Sequence, residues 1–207
     1  ELAIKSLNPS VGEAGKYTIV LGRPASAVFM DIIAGMDSAF QIDSGFSCLT
    51  GKLGEKIASE ILTVYDDPLM PGGLGSKPFD DEGYPTSNKA IIDRGVLRTY
   101  LHNSLTAKKH NAKLTGNAGW IVPHAWNIIV ESGEQSDEEL ISEIEEGIFV
   151  NNLTYVRFQD YVRGDFSSII RDGVFKIEGG EITKPIVGYI AGSTIRREGE
   201  SFGHAGA

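Results

Sequence analysis

The sequence predicts an α+β fold in which antiparallel sheet dominates and two or three helices pack against it. Short runs of β-branched and aromatic residues recur between turn residues. Glycine and proline are spread along the whole chain, with 25 Gly and 8 Pro among 207 residues, which is typical of many short elements joined by turns. No repeat and no linker-like segment interrupts this pattern, so we expect a single domain over residues 1–207.

The first predicted strand is Tyr17–Leu21, and a helix from about Pro24 to Phe40 follows it. Pro24 suits a first helical turn, where the N–H that proline lacks would have no partner in any case. Apolar residues then recur at three- and four-residue spacing and form one stripe, which predicts packing on the core. The members of the stripe are Val28, Phe29, Ile32, Ile33, Met36 and Phe40.

Two further helices are predicted from shorter signals. Ser136 and Glu139 have the spacing of a capping box, and Gly147 lies past the expected end of that helix. A weaker helical stretch covers Asn103–Asn111. Short β-like runs account for most of the remainder: Leu62–Tyr65, Val96–Leu101, Asn127–Val130 and Leu153–Phe158.

The C-terminal third predicts a three-stranded antiparallel meander. Asp172-Gly173 and Gly179-Gly180 are two-residue turn signals of the kind that close hairpins. They separate three β-like runs: Ser167–Arg171, Val174–Glu178 and Glu181–Val187.

Charge and composition exclude several classes of partner. The formal net charge is −9, which is the wrong sign for binding to nucleic acid or to an anionic membrane surface. No apolar run is long enough to span a bilayer. The one cysteine, Cys48, cannot form an internal disulfide, which favours a reducing cytoplasm. The chain begins at Glu1 rather than Met, and we expect it to be a piece of a longer polypeptide.

Catalytic and cofactor motifs are not visible in this sequence. The four histidines lack metal-ligand spacing, and neither a serine elbow nor a phosphate-binding glycine loop is present. Five carboxylates fall on two predicted loops, where they suit either a hard cation or turn and substrate contacts. They are Asp66, Asp67, Asp80, Asp81 and Glu82.

The segment Leu114–Trp120 is rich in small residues. Such a loop lets another backbone approach closely, although it also fits a solvated turn. Both interpretations stay open on residue types alone.

Six segments, taken in order and with their spacing, resemble the successive signatures of the TldD/PmbA family, once called modulators of DNA gyrase. The resemblance covers Tyr17–Ala191 and implies the C-terminal part of that family, whose N-terminal α/β portion would precede Glu1. The segments are Gly51–Ser59, Asp66–Pro68, Phe79–Thr86, Gly95–Leu97, Leu114–Asn117 and Gly180–Pro185.

The resemblance also implies where zinc should be absent. In this family a TldD-type subunit holds zinc through an H-E-x-x-x-H helix and a later cysteine, and a TldE/PmbA-type subunit lacks those ligands. Counted without gaps, the two histidine positions fall on Met30 and Gly35, and the glutamate position falls on Asp31. A thioether is a weak zinc ligand and glycine has no side chain. We therefore expect no metal and no catalytic residue in this chain, with zinc in a partner subunit.

The resulting functional prediction is a metal-free TldE/PmbA-like subunit of a cytoplasmic zinc metallopeptidase that processes unfolded proteins or peptides. It would form a dimer with a zinc-bearing TldD-like paralogue or with itself. Two alternatives remain: a standalone hydrolase with a carboxylate site, and a structural scaffold. The candidate peptide-binding residues are Asp80, Asp81, Glu82, Gly83, Thr115, Gly116 and Asn117.

Overall fold

The computed structural model describes residues 2–193 and 204–206 of the chain. It divides into two compact units. Unit 1 combines Glu1–Met30 with Glu134–Ala207, and unit 2 is the continuous stretch Asp31–Gly133. Both units mix helices with mostly antiparallel strands, which confirms the predicted α+β class.

The described residues contain five helices and eleven strands. The helices are α1 (Leu2–Lys5), α2 (Arg23–Met36), α3 (Ala39–Ser44), α4 (Ser104–His110) and α5 (Asp137–Ser142). The strands are β1 (Ser10–Val11), β2 (Thr18–Leu21), β3 (Val64–Asp66), β4 (Lys89–Asp93), β5 (Val96–Leu97), β6 (Ile128–Val130), β7 (Glu146–Asp160), β8 (Asp165–Glu178), β9 (Glu181–Val187), β10 (Tyr189–Ser193) and β11 (His204–Gly206).

Unit 1 is built on a seven-stranded sheet of the described residues, in which a long β7–β8 hairpin is central. Strands β9 and β10 pair with β8, whereas β2 joins β7 in parallel and β1 joins β9 in parallel. The core is apolar side chains from the sheet together with one alanine of α2. Its buried members are Ala25, Ile148, Val150, Leu153, Phe166, Ile170, Val174 and Ile190.

Unit 2 contains a four-stranded antiparallel sheet in the order β5-β4-β3-β6. Strand β6 therefore pairs on one edge only, with β3, among the described residues. The buried apolar side chains of unit 2 come from the sheet, from α2, α3 and α4, and from the connecting loops. The largest fully buried ones are Leu49, Ile91, Ile92, Leu97 and Leu101.

Two predicted helix starts are confirmed by their caps. The side chain of Ser136 accepts the N–H of Glu139, whose carboxylate accepts the N–H of Ser136 in return. Asn103 caps α4 in the same reciprocal way with Thr106, and the positive φ of Asn111 ends that helix.

The prediction of one helix from Pro24 to Phe40 is wrong at its C-terminal end, because α2 stops at Met36 and α3 begins at Ala39. The carbonyl of Asp37 accepts the N–H of Leu101 at 3.0 Å, and the N–H of Ala39 donates to the carbonyl of Leu101 at 2.9 Å. These hydrogen bonds to a distant segment interrupt the helix at Asp37 and Ser38. The strand predicted at Val96–Leu101 is only Val96–Leu97, and the backbone of Leu101 instead bonds to the segment between α2 and α3.

The first turn of the predicted meander is also wrong. Asp172 and Gly173 have φ values of 60° and 104°, yet they lie inside the continuous strand β8. The register with β7 shifts there, so the two residues form an irregularity within the hairpin and not its end. The second turn is confirmed: Gly179 and Gly180, both with positive φ, connect β8 to β9.

None of the helices in residues 2–193 is long and apolar enough to cross a membrane.

Candidate functional site

The positions that correspond to the zinc motif lie on α2 and do not fit the metal. Met30 is half-buried, and Asp31 and Gly35 are exposed. The residue types at the two histidine positions supply no pair of zinc ligands, since a thioether binds zinc weakly and glycine has no side chain. The described residues contain no group of three or more His, Cys, Asp or Glu side chains able to hold a metal ion.

The structure brings the two predicted peptide-binding segments into contact within unit 2. We call Asp80–Gly83 the acidic loop and Thr115–Asn117 the glycine loop. The buried carboxylate of Asp80 accepts the N–H groups of Glu82 and Tyr84 through Oδ1, at 3.0 and 2.9 Å. Its Oδ2 accepts the N–H of Ala118 at 3.0 Å, directly after the glycine loop. The N–H of Asp81 in turn donates to the carbonyl of Ala118. The side chain of Asp80 therefore holds the loops together and is not available to a ligand.

Gly116 is the closest point between the loops. It has a φ of +69°, and a Cβ there would lie 2.6 Å from the carbonyl oxygen of Pro85 and 2.9 Å from the Cα of Thr86. The carbonyl of Gly116 accepts the indole N–H of Trp126 at 2.8 Å. Glycine is required here by both the backbone conformation and the space.

Glu82 and Thr115, one from each loop, bind residues at the start of α4. Glu82 accepts the backbone N–H and the hydroxyl of Ser104, both at 2.8 Å. A carboxylate at a helix N-terminus is stabilised by the helix dipole. The hydroxyl of Thr115 donates to the carbonyl of His102 and accepts its N–H. Asp81 is partly exposed and pairs with Lys77 at 2.9 Å.

A buried polar network anchors the glycine loop to the sheet. Oδ2 of Asp66, which is fully buried, accepts the side-chain N–H of Asn117 at 2.6 Å and the ammonium of Lys89 at 3.1 Å. Its Oδ1 accepts the N–H groups of Trp126 and Asn127 at 2.7 and 3.1 Å. Asp66 thus stabilises the join between β3, β4 and β6. The network gives it no free coordination site for a cation.

Asp37 is a buried carboxyl that sequence reasoning missed. Its side chain is 0% exposed, and neither oxygen has a hydrogen-bond partner. Burial, and then the carboxylate of Asp66, raise the pKa of Asp37 well above its ordinary value. The signal in the sequence was weak: an acidic residue directly after an apolar helical stripe, at the helix end that disfavours a negative charge.

Several large apolar side chains near the two loops are exposed to solvent. Trp120 is 94% exposed and Ile121 is 82% exposed, and both lie within four residues after the glycine loop. Three more exposed apolar residues lie near the loops in the sequence: Phe79 and Tyr84 flank the acidic loop, and Leu105 lies on α4 next to Ser104. Large exposed apolar side chains of this kind are typical components of interaction sites. Strand β6 lies nearby along the chain and, among the described residues, pairs on one edge only, which suits binding an extended chain.

Comparison with known proteins supplies the family context. A family model described as the PmbA/TldA metallopeptidase C-terminal domain matches residues 14–196. A metalloprotease of Methanocaldococcus jannaschii is 34% identical over 193 residues, covering 88% of this chain and 41% of the relative. A PmbA homologue of Buchnera aphidicola, also named a metalloprotease, is 34% identical over 185 residues, covering 89% of this chain and 40% of its own. The chain therefore spans about four tenths of these relatives.

Two solved structures share the fold. A protein from Thermotoga maritima, described as a proposed modulator of a DNA gyrase, superposes with a TM-score of 0.83 at 33% identity, covering 92% of this chain and 45% of that chain. TldE from Thermococcus kodakarensis superposes with a TM-score of 0.82 at 25% identity, covering 99% of this chain and 51% of its own.

Proposed function

The chain belongs to the PmbA/TldA metallopeptidase family, and from that premise we propose that it is a non-catalytic, metal-free subunit of a heteromeric zinc metallopeptidase. Its role is that of a TldE/PmbA-type subunit. Zinc and the catalytic groups belong to a TldD-like partner, with which the chain forms a dimer; pairing with a second copy is the other arrangement. The substrates are unfolded proteins or peptides, and the compartment is the cytoplasm.

The replacement of both histidine positions of the zinc motif carries this proposal. Met30 offers only a thioether and Gly35 offers no side chain, so this helix lacks the imidazoles that bind zinc. Asp31 is exposed, and without a metal-bound water beside it no general-base role follows.

Peptide positioning is the contribution that the geometry of unit 2 supports. The side chains of the two loops are largely occupied in holding the loops rigid, which leaves backbone groups and exposed apolar side chains for a ligand. Strand β6 begins directly after Trp126 and Asn127, whose N–H groups are fixed by Asp66. An extended peptide can add to the open edge of such a strand through main-chain hydrogen bonds, while apolar side chains beside it provide selectivity.

The alternative of a standalone carboxylate hydrolase has less support. Asp66 and Asp80 are buried, and each accepts at least three hydrogen bonds from the protein itself. A carboxylate engaged in this way is a poor acid, base or nucleophile, because a reacting group must reach the substrate.

Reconstitution tests the proposal. The chain is purified alone, a TldD-type relative that carries the zinc histidines is purified alone, and the two are then combined. We expect zinc and residual or no peptide cleavage in the relative alone, neither in this chain alone, and strong cleavage in the mixture. Stoichiometric zinc in this chain, or cleavage by it alone, would overturn the proposal. If cleavage by the relative does not change when this chain is added, the chain is a structural scaffold without a role in the reaction.

A paired substitution tests the peptide-binding surface. Trp120→Ala should raise the KM of the reconstituted enzyme for an unfolded peptide by about tenfold with little change in kcat, because loss of one large apolar contact removes about 1–2 kcal/mol of binding. Ile61→Ala is the matched control, since Ile61 is 89% exposed but lies outside both loops. Equal effects of the two substitutions on KM would exclude the surface next to the glycine loop as the binding site.

A further inference from the structure

Three buried side-chain oxygens of the described residues have no hydrogen-bond partner, and all belong to unit 2. They are both carboxyl oxygens of Asp37 and the Oδ1 of Asn117. Both side chains are 0% exposed. Buried polar groups are normally paired, so each exception calls for a physical explanation.

An ionised carboxylate is not tolerated in this position. No N–H or O–H group donates to the carboxyl oxygens of Asp37, and their burial removes the water that would otherwise solvate a charge. The position also follows the C-terminal end of α2, where the helix carbonyls oppose a negative charge.

The titratable groups around Asp37 also disfavour its ionised form. Asp66 is the carboxylate whose charge acts on Asp37, and the ammonium of Lys89 is bound to Asp66 at 3.1 Å. Tyr100 also senses the charge of Asp37, but its hydroxyl donates to the carbonyl of Leu49 at 2.7 Å and so gives Asp37 no proton. These surroundings leave Asp37 with one way to become neutral, which is to bind a proton.

We propose that Asp37 is a structural proton-binding site, at which the folded protein retains a neutral carboxylic acid at neutral pH. The acid O–H supplies a hydrogen-bond donor in a unit where three buried side-chain oxygens have none. Asn117 Oδ1 is the unfilled acceptor that this proton suits, since Asn117 is bonded to the same Asp66 whose charge acts on Asp37. Loss of the proton therefore weakens the anchor of the glycine loop.

The sign of the pH dependence follows from linkage. A carboxyl whose folded pKa is raised stabilises the fold fully below the ordinary pKa of about 4, and that contribution is lost as pH rises toward the folded pKa. Between the two pKa values, the folded state holds one more proton than the unfolded state. The unfolding equilibrium constant should then rise tenfold per pH unit from this group alone.

Asp37→Asn provides the test, because an amide has the shape of the neutral acid, retains an N–H donor and does not titrate. Urea unfolding of the wild-type chain and the variant is measured from pH 5 to pH 8. Between the ordinary and the raised pKa, the unfolding constant of the wild type should rise relative to that of the variant by about tenfold per pH unit. For Asp31→Asn, the same chemical change at an exposed position of α2, the stability profile should run parallel to that of the wild type.

A spectroscopic readout keeps the test independent of the folding of any variant. The carboxyl ¹³C resonance of Asp37 in the wild-type chain, assigned through its own Cβ, should have the chemical shift of a protonated acid at pH 7. A carboxylate shift at pH 7, or parallel stability profiles for the wild type and Asp37→Asn, would overturn the proposal.

Discussion

Replacing Gly116 with alanine tests how closely the acidic and glycine loops are joined. The left-handed φ of +69° at this position costs a residue with a Cβ about 1–2 kcal/mol. The new methyl group would also lie 2.6 Å from the carbonyl oxygen of Pro85, which is backbone and cannot rotate away. Overpacking of this kind costs about 1–3 kcal/mol. We therefore expect the free energy of unfolding to fall by about 2–5 kcal/mol in total.

Gly83 offers a control of the same chemical type. Its φ is +79°, yet a Cβ there meets no atom within 4 Å. Gly83→Ala should therefore lose only the conformational part, about 1–2 kcal/mol. Both variants are compared with the wild type by urea unfolding monitored through tryptophan fluorescence. If the two substitutions destabilise the chain equally, the close approach at Gly116 does not contribute to stability and the reasoning fails.

Two further substitutions probe charges in unit 2. Asp66→Asn should lower the free energy of unfolding by about 3 kcal/mol, because it leaves Lys89 without its partner in a largely buried position. Calorimetry should show that the double variant with Lys89→Met regains part of this stability. A double variant no more stable than Asp66→Asn would argue against the ion pair. Partial burial raises the pKa of Asp43, but hydrogen bonds from Lys109 and His110 outweigh it and the pKa is lowered. Asp43→Asn should thus destabilise the chain at pH 7, with the difference from the wild type fading in urea titrations as pH falls through that lowered pKa; a constant difference would contradict the assignment.

The parts of the fold that the sequence predicted are those set by local interactions. The capping residues Asn103 and Ser136 act within one turn of their own helices, so residue spacing alone identifies both starts. The end of α2 could not be predicted in this way, because Leu101 pairs with the backbone on both sides of Ser38. That partner lies far along the chain, and no periodicity in residues 24–40 contains it.

The candidate site shows a similar division. Acidic and small residues correctly indicated two loops, and the structure places them against each other, but it assigns most of their side chains to internal hydrogen bonds. Asp37 was not identified because its character depends on burial and on Asp66, neither of which can be read from neighbouring residues. Peptide binding at the loops and the expected single domain remain predictions.

The parallel pairing of β2 with β7 affects the order in which the chain can fold during synthesis. Thr18 lies opposite Gly147, and the whole of unit 2 is encoded between these two strands. A ribosome therefore releases every residue of unit 2 before it makes the strand that β2 needs. Strand β2 therefore cannot make its pairing with β7 during that interval, and the sheet of unit 1 is completed only after every residue of unit 2 has been made.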